Sequence, residues 1–302
     1  MTQMPHVKSF LHPDTSTFSY VVWDPESRKA AVIDSVLHYE ATSGRTSTHY
    51  IDQIVTFVRE NDLQIEWVLE THAHADHVAG GAYVKRALGG RTGIGAGIRT
   101  VQEHFSDVYG LDRGFMHDGS QFDHLFEDGE TYKIGDIEAR VIATPGHTPD
   151  HLTHVIGDAA FVGDSLFMPD GGTARCDFPG GDAATLYRSI QRLFELPDET
   201  RIFVLHDYGP NGRERMYETT VGSERRDNIH VGDGRSEAEF VKLRTERDKT
   251  LSMPGLIIPA IQINIRAGEL PPEQDNGTRY LKIPLNRAQG FSTIADDEPP
   301  TP

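Results

Sequence analysis

Residues 72–77 read His-Ala-His-Ala-Asp-His, four metal-ligand side chains within six positions. Neutral imidazole and carboxylate suit zinc, iron and related divalent ions. The run follows Ile65 to Leu69, a short apolar stretch that reads as a buried strand. The same arrangement recurs downstream. Ile137 to Ala143 runs out into Thr144-Pro145-Gly146-His147, Ala159 to Val162 into Gly163-Asp164, and Ile202 to Leu205 into His206-Asp207-Tyr208. Strand ends converge on one edge of a sheet, so side chains from four distant segments can meet at one point. A chain written this way has to fold as layers that bring those ends to a common edge.

The remaining periodicities suit such layers. Residues 18–23 and 29–33 read as strands around a turn at Asp24-Pro25-Glu26, with Asp34 ending the second. Residues 36–50 are polar and predict a loop. Ile51 to Glu60 carries apolar residues at 51, 54, 55 and 58, the spacing of an amphipathic helix. A helix is expected at 79–88, ended by Gly89-Gly90, then a short Gly-rich strand and turn at 93–98. Residues 102–121 show no clear period and predict loop with a short helix. Paired strands are expected at 131–133 with 137–143 and at 153–156 with 159–162, and helices at 183–195 and 236–248. Strands, helix, strands, helix is the order of a layered α/β domain. The expected organisation is a catalytic domain over 1–250, an extension over 251–286 packed on it, and a polar, disordered tail over 287–302.

Composition excludes some partners. The 46 acidic residues against 29 basic ones give a net charge of −17, which argues against non-specific nucleic-acid binding by phosphate neutralisation. No stretch approaches eighteen apolar residues, so no membrane span is expected, and Met1 to Phe10 lacks the apolar run of a signal peptide. With its single cysteine, Cys176, the chain has no intrachain disulfide. These features point to a cytoplasmic protein. Cys176 reads as a small packed residue.

His72, His74, Asp76 and His77, followed by His147, Asp164 and His206, match in order and spacing the ligand motifs of the metallo-β-lactamase superfamily. The resemblance covers about residues 7–215. It implies an αββα sandwich, two facing mixed sheets with helices outside and metal at one edge. Within the superfamily the chain resembles the persulfide dioxygenases. The stretches that carry this are 71–77, 144–149, and Gly163-Asp164-Ser165-Leu166 followed by Gly172-Thr173-Ala174-Arg175-Cys176-Asp177-Phe178, which fits a Gly-x-x-Arg-x-Asp-Phe signature. The chain departs from the family pattern in a polar insertion near 38–50 and a longer C-terminus.

That resemblance implies one Fe(II) per chain held by His72, His147 and Asp164, with glutathione persulfide and O2 as substrates, sulfite and glutathione as products, and a homodimer. Tyr208 would donate a hydrogen bond to the reacting species. Arg175 would either orient Asp177 or hold a substrate carboxylate, and Asp177 would fix the Arg175 loop. His74, Asp76, His77 and His206 would then orient the ligands. The same residues also support a dinuclear zinc hydrolase of the glyoxalase II type. There, His72, His74 and His147 bind one ion, Asp76, His77 and His206 the other, and Asp164 bridges. A metal-bound sensor without turnover is a third reading. His151 and His154 are expected to pack in a strand. His6, His12, His38, His49, His104, His117, His124 and His230 are expected in solvent.

Overall fold

The computed structural model describes residues 4–111 and 114–285. The first half runs β1 (His6–His12), β2 (Thr17–Trp23), β3 (Lys29–Ile33), β4 (Val36–Glu40), β5 (Arg45–Ser47), α1 (Ile51–Glu60), β6 (Gln64–Leu69), β7 (Val78–Ala79), α2 (Gly81–Leu88), β8 (Arg91–Gly95), α3 (Ile98–Tyr109) and β9 (His124–Phe126). The second half runs β10 (Thr131–Ile134), β11 (Ile137–Ala143), β12 (Leu152–Ile156), β13 (Ala159–Phe161), α4 (Ala183–Leu193), β14 (Arg201–Phe203), β15 (Glu218–Thr220), α5 (Val221–Asp227), α6 (Glu237–Asp248) and α7 (Ile257–Asn264). One six-stranded sheet has the order β1-β2-β3-β6-β8-β9, a second β10-β11-β12-β13-β14-β15, and β5-β4-β7 form a small third. Both large sheets are mixed. Strands β3, β6, β8 and β9 are parallel neighbours, as are β13 and β14, while the other pairs are antiparallel.

Alternation along the strands explains the layering. Phe18, Tyr20 and Val22 of β2 share one core with Ile134, Val141, Leu152, Phe161 and Phe203 of the opposite sheet. Their intervening neighbour Val21 faces the other way, with Ile51, Ile54 and Val58 of α1. On the second sheet Phe203 points into the shared core, and Ile202 packs with Leu186, Ile190 and Leu193 of α4. Helices therefore cover both outer faces, giving the αββα sandwich. Each such side chain contributes roughly 1.5–3 kcal/mol by leaving water. The Tyr20 hydroxyl crosses the middle and donates to Val204 O at 2.5 Å, which ties the two sheets together.

Helix ends are written in the sequence where capping residues exist. Asp182 caps α4 by accepting from Thr185 N at 2.7 Å, and Ser236 with Glu239 forms a reciprocal box at the start of α6. Two segments depart from the expectation. The polar stretch 36–50 holds strands β4 and β5, and β4 also pairs with β7. This hairpin is mostly solvated, so it needs no apolar alternation to form. Helix α3 begins at Ile98, so the unbroken helix takes in the first part of the stretch expected to be irregular. Its buried Ile98, Val101, Phe105 and Tyr109 lie on one face, but Gly97 offers no side-chain cap to mark its start.

Helix α7 lies beyond residue 250 and packs against α3 and β7. Its Ile257 and Ile261 join a cluster with Ile98, Val101 and Phe105. The polar tail expected at 287–302 lies outside the described residues. No helix among the described residues is long and apolar enough to cross a membrane.

Candidate metal centre

The loop after β6 is held from behind by carboxylates. Asp34, at the end of parallel neighbour β3, accepts from Thr71 N at 2.8 Å and from Thr71 Oγ1 at 3.0 Å. Asp150 accepts from Ala73 N at 2.7 Å. The Asn264 amide donates to His74 O and His77 O, both at 2.8 Å, and its oxygen accepts from Ala79 N. A loop pinned at this many points presents its imidazoles in fixed orientations.

Hydrogen bonds on the far side of each ring set which nitrogen keeps a lone pair. His147 Nδ1 donates to Arg175 O at 2.7 Å, so Nε2 is the nitrogen available as a ligand. His72 Nδ1 lies 3.2 Å from Thr71 Oγ1, whose own proton goes to Asp34, so Nδ1 donates and Nε2 is again free. The free nitrogens converge. His147 Nε2 is 3.4 Å and His72 Nε2 3.9 Å from Asp164 Oδ2. Together His72, His147 and Asp164 form a buried group whose ligand atoms all lie within 4.8 Å of one another.

Asp164 is placed by its backbone. Its N–H donates to His151 Nε2 at 2.9 Å, and the His151 ring stacks on His72 with centroids 4.7 Å apart. The preceding Gly163 has φ +50°, and a Cβ there would come within 2.6 Å of His151 Nε2 and 2.7 Å of Thr71 Oγ1. Gly146, with φ +132°, lets the His147 turn approach α4, where a Cβ would meet Leu186 N at 2.3 Å. Both positions need glycine.

A second group, Asp76, His77 and His206, lies alongside. Asp76 Oδ2 is 3.1 Å from His206 Nε2, and Asp76 Oδ1 is 3.3 Å from His77 Nδ1. The other oxygen of Asp164, Oδ1, reaches to 3.5 Å from His206 Nε2, so this carboxylate faces both groups. Burial pushes the Asp76 carboxyl up, but the His206 and His77 imidazoles outweigh it and hold it below its ordinary value. Burial raises the Asp164 carboxyl despite His206 and His147. Burial and the neighbouring imidazoles press His72 well below its ordinary value and His77 to about 4, so both rings are neutral.

His74 lies between the two groups, its ring 4.2 Å from those of His72 and His77 and its Nδ1 buried without a partner. Its Nε2 sits 3.0 Å from Asp34 Oδ1 and 3.1 Å from Glu70 Oε2, a buried cluster of its own. Burial would lower its pKa, yet Asp34 and Glu70 hold it well above the usual value. Burial lifts Glu70 to about 7.

These residues fit a bound cation. His72 Nε2, His74 Nδ1, Asp164 Oδ1 and His206 Nε2 are buried without a hydrogen-bond partner, as are both nitrogens of His77. Leaving such groups unsatisfied costs about 1–3 kcal/mol each. Two ligands about 2.0–2.1 Å from one tetrahedral ion lie about 3.3–3.4 Å apart, close to the spacings of His147 and His206 from Asp164.

The centre opens on a cavity of about 360 Å³ lined by Asp76, His147, Asp164, Tyr208, Arg175 and Arg247, among others. Tyr208 is 62% exposed and stacks on His206. The Arg175 guanidinium forks onto Asp177 through two bonds of 2.5 and 2.6 Å and donates to Ser252 O. Its fork is thereby committed to its own loop. Buried Cys176, its thiol pKa raised chiefly by burial, donates its backbone N–H to Asp248. Asp207, next to His206, is clamped by Arg213 and accepts from Met216 N.

Residues 12–206 match the Metallo-beta-lactamase superfamily. This chain belongs to that superfamily. Among curated members of the superfamily it is 49% identical over 290 residues to a protein of Burkholderia pseudomallei named a probable metallo-hydrolase, covering 93% of this chain and 99% of that one. It is 47% identical to Glyoxylase B2 of Dictyostelium discoideum, covering 95% and 99%. It is 32% identical to the mitochondrial persulfide dioxygenase of Bos taurus over 88% of this chain and 90% of that one. The solved superfamily structure of ETHE1 from Myxococcus xanthus superposes with a TM-score of 0.70 at 29% identity, covering 87% of this chain and all of that one.

Several residues of the centre carry no ligand motif. Asp34 stands at a strand end, as the ligands do, and that position is its signal. Glu70 follows β6 directly. His151, expected only to pack, also fixes Asp164. Asn264 has no local signal, because its partners are nearly two hundred residues away. Two histidines expected in solvent are instead buried. His12 is 4% exposed and His230 6%, and His230 Nδ1 accepts from Thr173 N. His38 and His124 are half-buried.

Proposed function

We propose that the protein is an iron-dependent persulfide dioxygenase that oxidises glutathione persulfide with O2 to sulfite and glutathione. The observation that carries this is the placing of the group formed by two histidines and one carboxylate. His147 and Asp164 of this group line the cavity, and of the second group only Asp76 does. Two imidazoles and a carboxylate with further positions open suit Fe(II) in oxygen chemistry. The Arg175–Phe178 stretch and the persulfide dioxygenase relatives support the same reading.

His72, His147 and Asp164 would hold the ion, which supplies the redox chemistry with O2 that side chains lack. The reaction consumes one persulfide, one O2 and one water and yields sulfite, thiol and two protons. The sulfane sulfur loses four electrons, and O2 gains them. Asp34 and Arg175 O keep both histidine lone pairs aimed at the centre. Arg247 is exposed on the cavity wall and makes no ion pair among the described residues, so it is the cation offered to a substrate carboxylate. Tyr208 stands over the cavity with a hydroxyl able to donate to the reacting sulfur or oxygen. Phe167 and Phe178 narrow the approach for water. Arg247→Ala raises KM for glutathione persulfide about tenfold with little change in kcat, measured by oxygen uptake.

A dinuclear zinc hydrolase is the second reading. It is favoured by the carboxylate of Asp164 facing both groups and by the names of the relatives near 48% identity. Oxygen uptake with glutathione persulfide, matched by sulfite release and one iron per chain, is the expected result. Thioester hydrolysis without uptake, and two zinc ions per chain, would replace the first reading by the second. Silence in both assays from fully metallated protein would leave a binding module.

A further inference from the structure

A fourth group of nitrogen and oxygen ligands lies outside the cavity, where the β4–β5 hairpin meets the β1–β2 turn. His12 ends β1, Asp14 sits in the turn, and His38 belongs to β4. One ligand atom from each lies within 4.8 Å of the other two. His38 Nδ1 is 3.3 Å from His12 Nε2 and 3.4 Å from Asp14 Oδ2. Ligands sharing a tetrahedral ion at about 2.0–2.1 Å stand about 3.3–3.4 Å apart, so these spacings are those of donors arranged around one ion.

The orientation of His12 is fixed from behind, as it is for ligating histidines generally. Its Nδ1 bonds to Thr15 Oγ1 at 2.9 Å, and Thr15 Oγ1 in turn to Thr17 Oγ1 at 2.7 Å. The edge of Tyr50 packs on the ring at 4.6 Å between centroids. Asp14 is 58% exposed at its side chain, which leaves the site open to solvent for entry and for a water ligand. His49 meets the His38 ring edge to face at 5.3 Å between centroids.

We infer that His12, His38 and Asp14 form a second metal site, for a zinc-class divalent ion with solvent as fourth ligand, that staples the β4–β5 hairpin to the β1–β2 turn. Two imidazoles and one carboxylate suit such ions better than calcium or magnesium, which take oxygen ligands. The site does not depend on which reaction the central cavity performs.

The test uses the full chain carrying its central metal, equilibrated with excess Zn(II), desalted and analysed for zinc per chain. Wild type retains one zinc more than His38→Ala, and zinc raises Tm in wild type but not in that variant. Asp14→Asn, at an exposed position that spares the core, weakens retention about tenfold or more. His206→Ala keeps the extra ion. The inference is overturned if His38→Ala and Asp14→Asn retain as much zinc as wild type. It is equally overturned if wild type takes up no additional ion, or if His206→Ala rather than His38→Ala loses it. In those cases the His12–His38 contact is a plain hydrogen bond between imidazoles.

Discussion

The two ligand groups at the sheet edge are built differently. In the first, His72 and His147 are each anchored by a bond on the side facing away from the centre, and Asp164 by its own backbone. In the second, Asp76 is the near neighbour of both His77 and His206, and it is partly exposed. The rings of the first group are held by short scaffold bonds, whereas the second is held more loosely, with His206 Nδ1 3.4 Å from both Thr17 Oγ1 and Ser16 O and neither nitrogen of His77 bonded. Preorganised ligands bind an ion without reorganising, so the first group should dominate metal retention.

The sharpest way to break this contrast is His147→Ala. Metal and activity are expected to vanish together, with turnover down by at least about a thousandfold. Full occupancy by elemental analysis in that variant would show that the scaffolded group is not the binding site. Next in size is Asp34→Asn, which keeps the shape but weakens the hold on Thr71 and His74. Metal affinity should fall about 10–100-fold, read by competition with a chelator. An unchanged affinity would mean that anchoring from behind is unimportant here. The smallest expected effect is at the second group. His206→Ala retains the full iron content and loses only a few-fold in rate, on the order of 1 kcal/mol. Loss of half of a two-ion content would instead make the groups equal partners, as the hydrolase reading requires.

How much of this was legible in the sequence follows from the range of the interactions. His72, His147, Asp164 and His206 each end an apolar strand, and that pattern needs only a few residues to see. A layered α/β domain followed from the order of the same strands, and the two facing sheets from the resemblance to the metallo-β-lactamase superfamily. Asn264 was invisible as a support because its partners lie nearly two hundred residues away, and Asp34 carried only its strand-end position as a signal. A short helix was expected beyond residue 102, but the start of α3 at Ile98 was missed for a local reason: a glycine stands where a capping side chain would have announced it. His12 was assigned to solvent because a single histidine at a strand end says nothing about what a distant hairpin will lay across it.

The Asn264 amide has a bearing on how the protein matures. A growing chain can synthesise the whole His72–His77 loop long before residue 264 leaves the ribosome, and until then two carbonyls and one N–H of that loop have no clasp. That loop therefore takes its final shape only once the segment around residue 264 has been made and has docked on it.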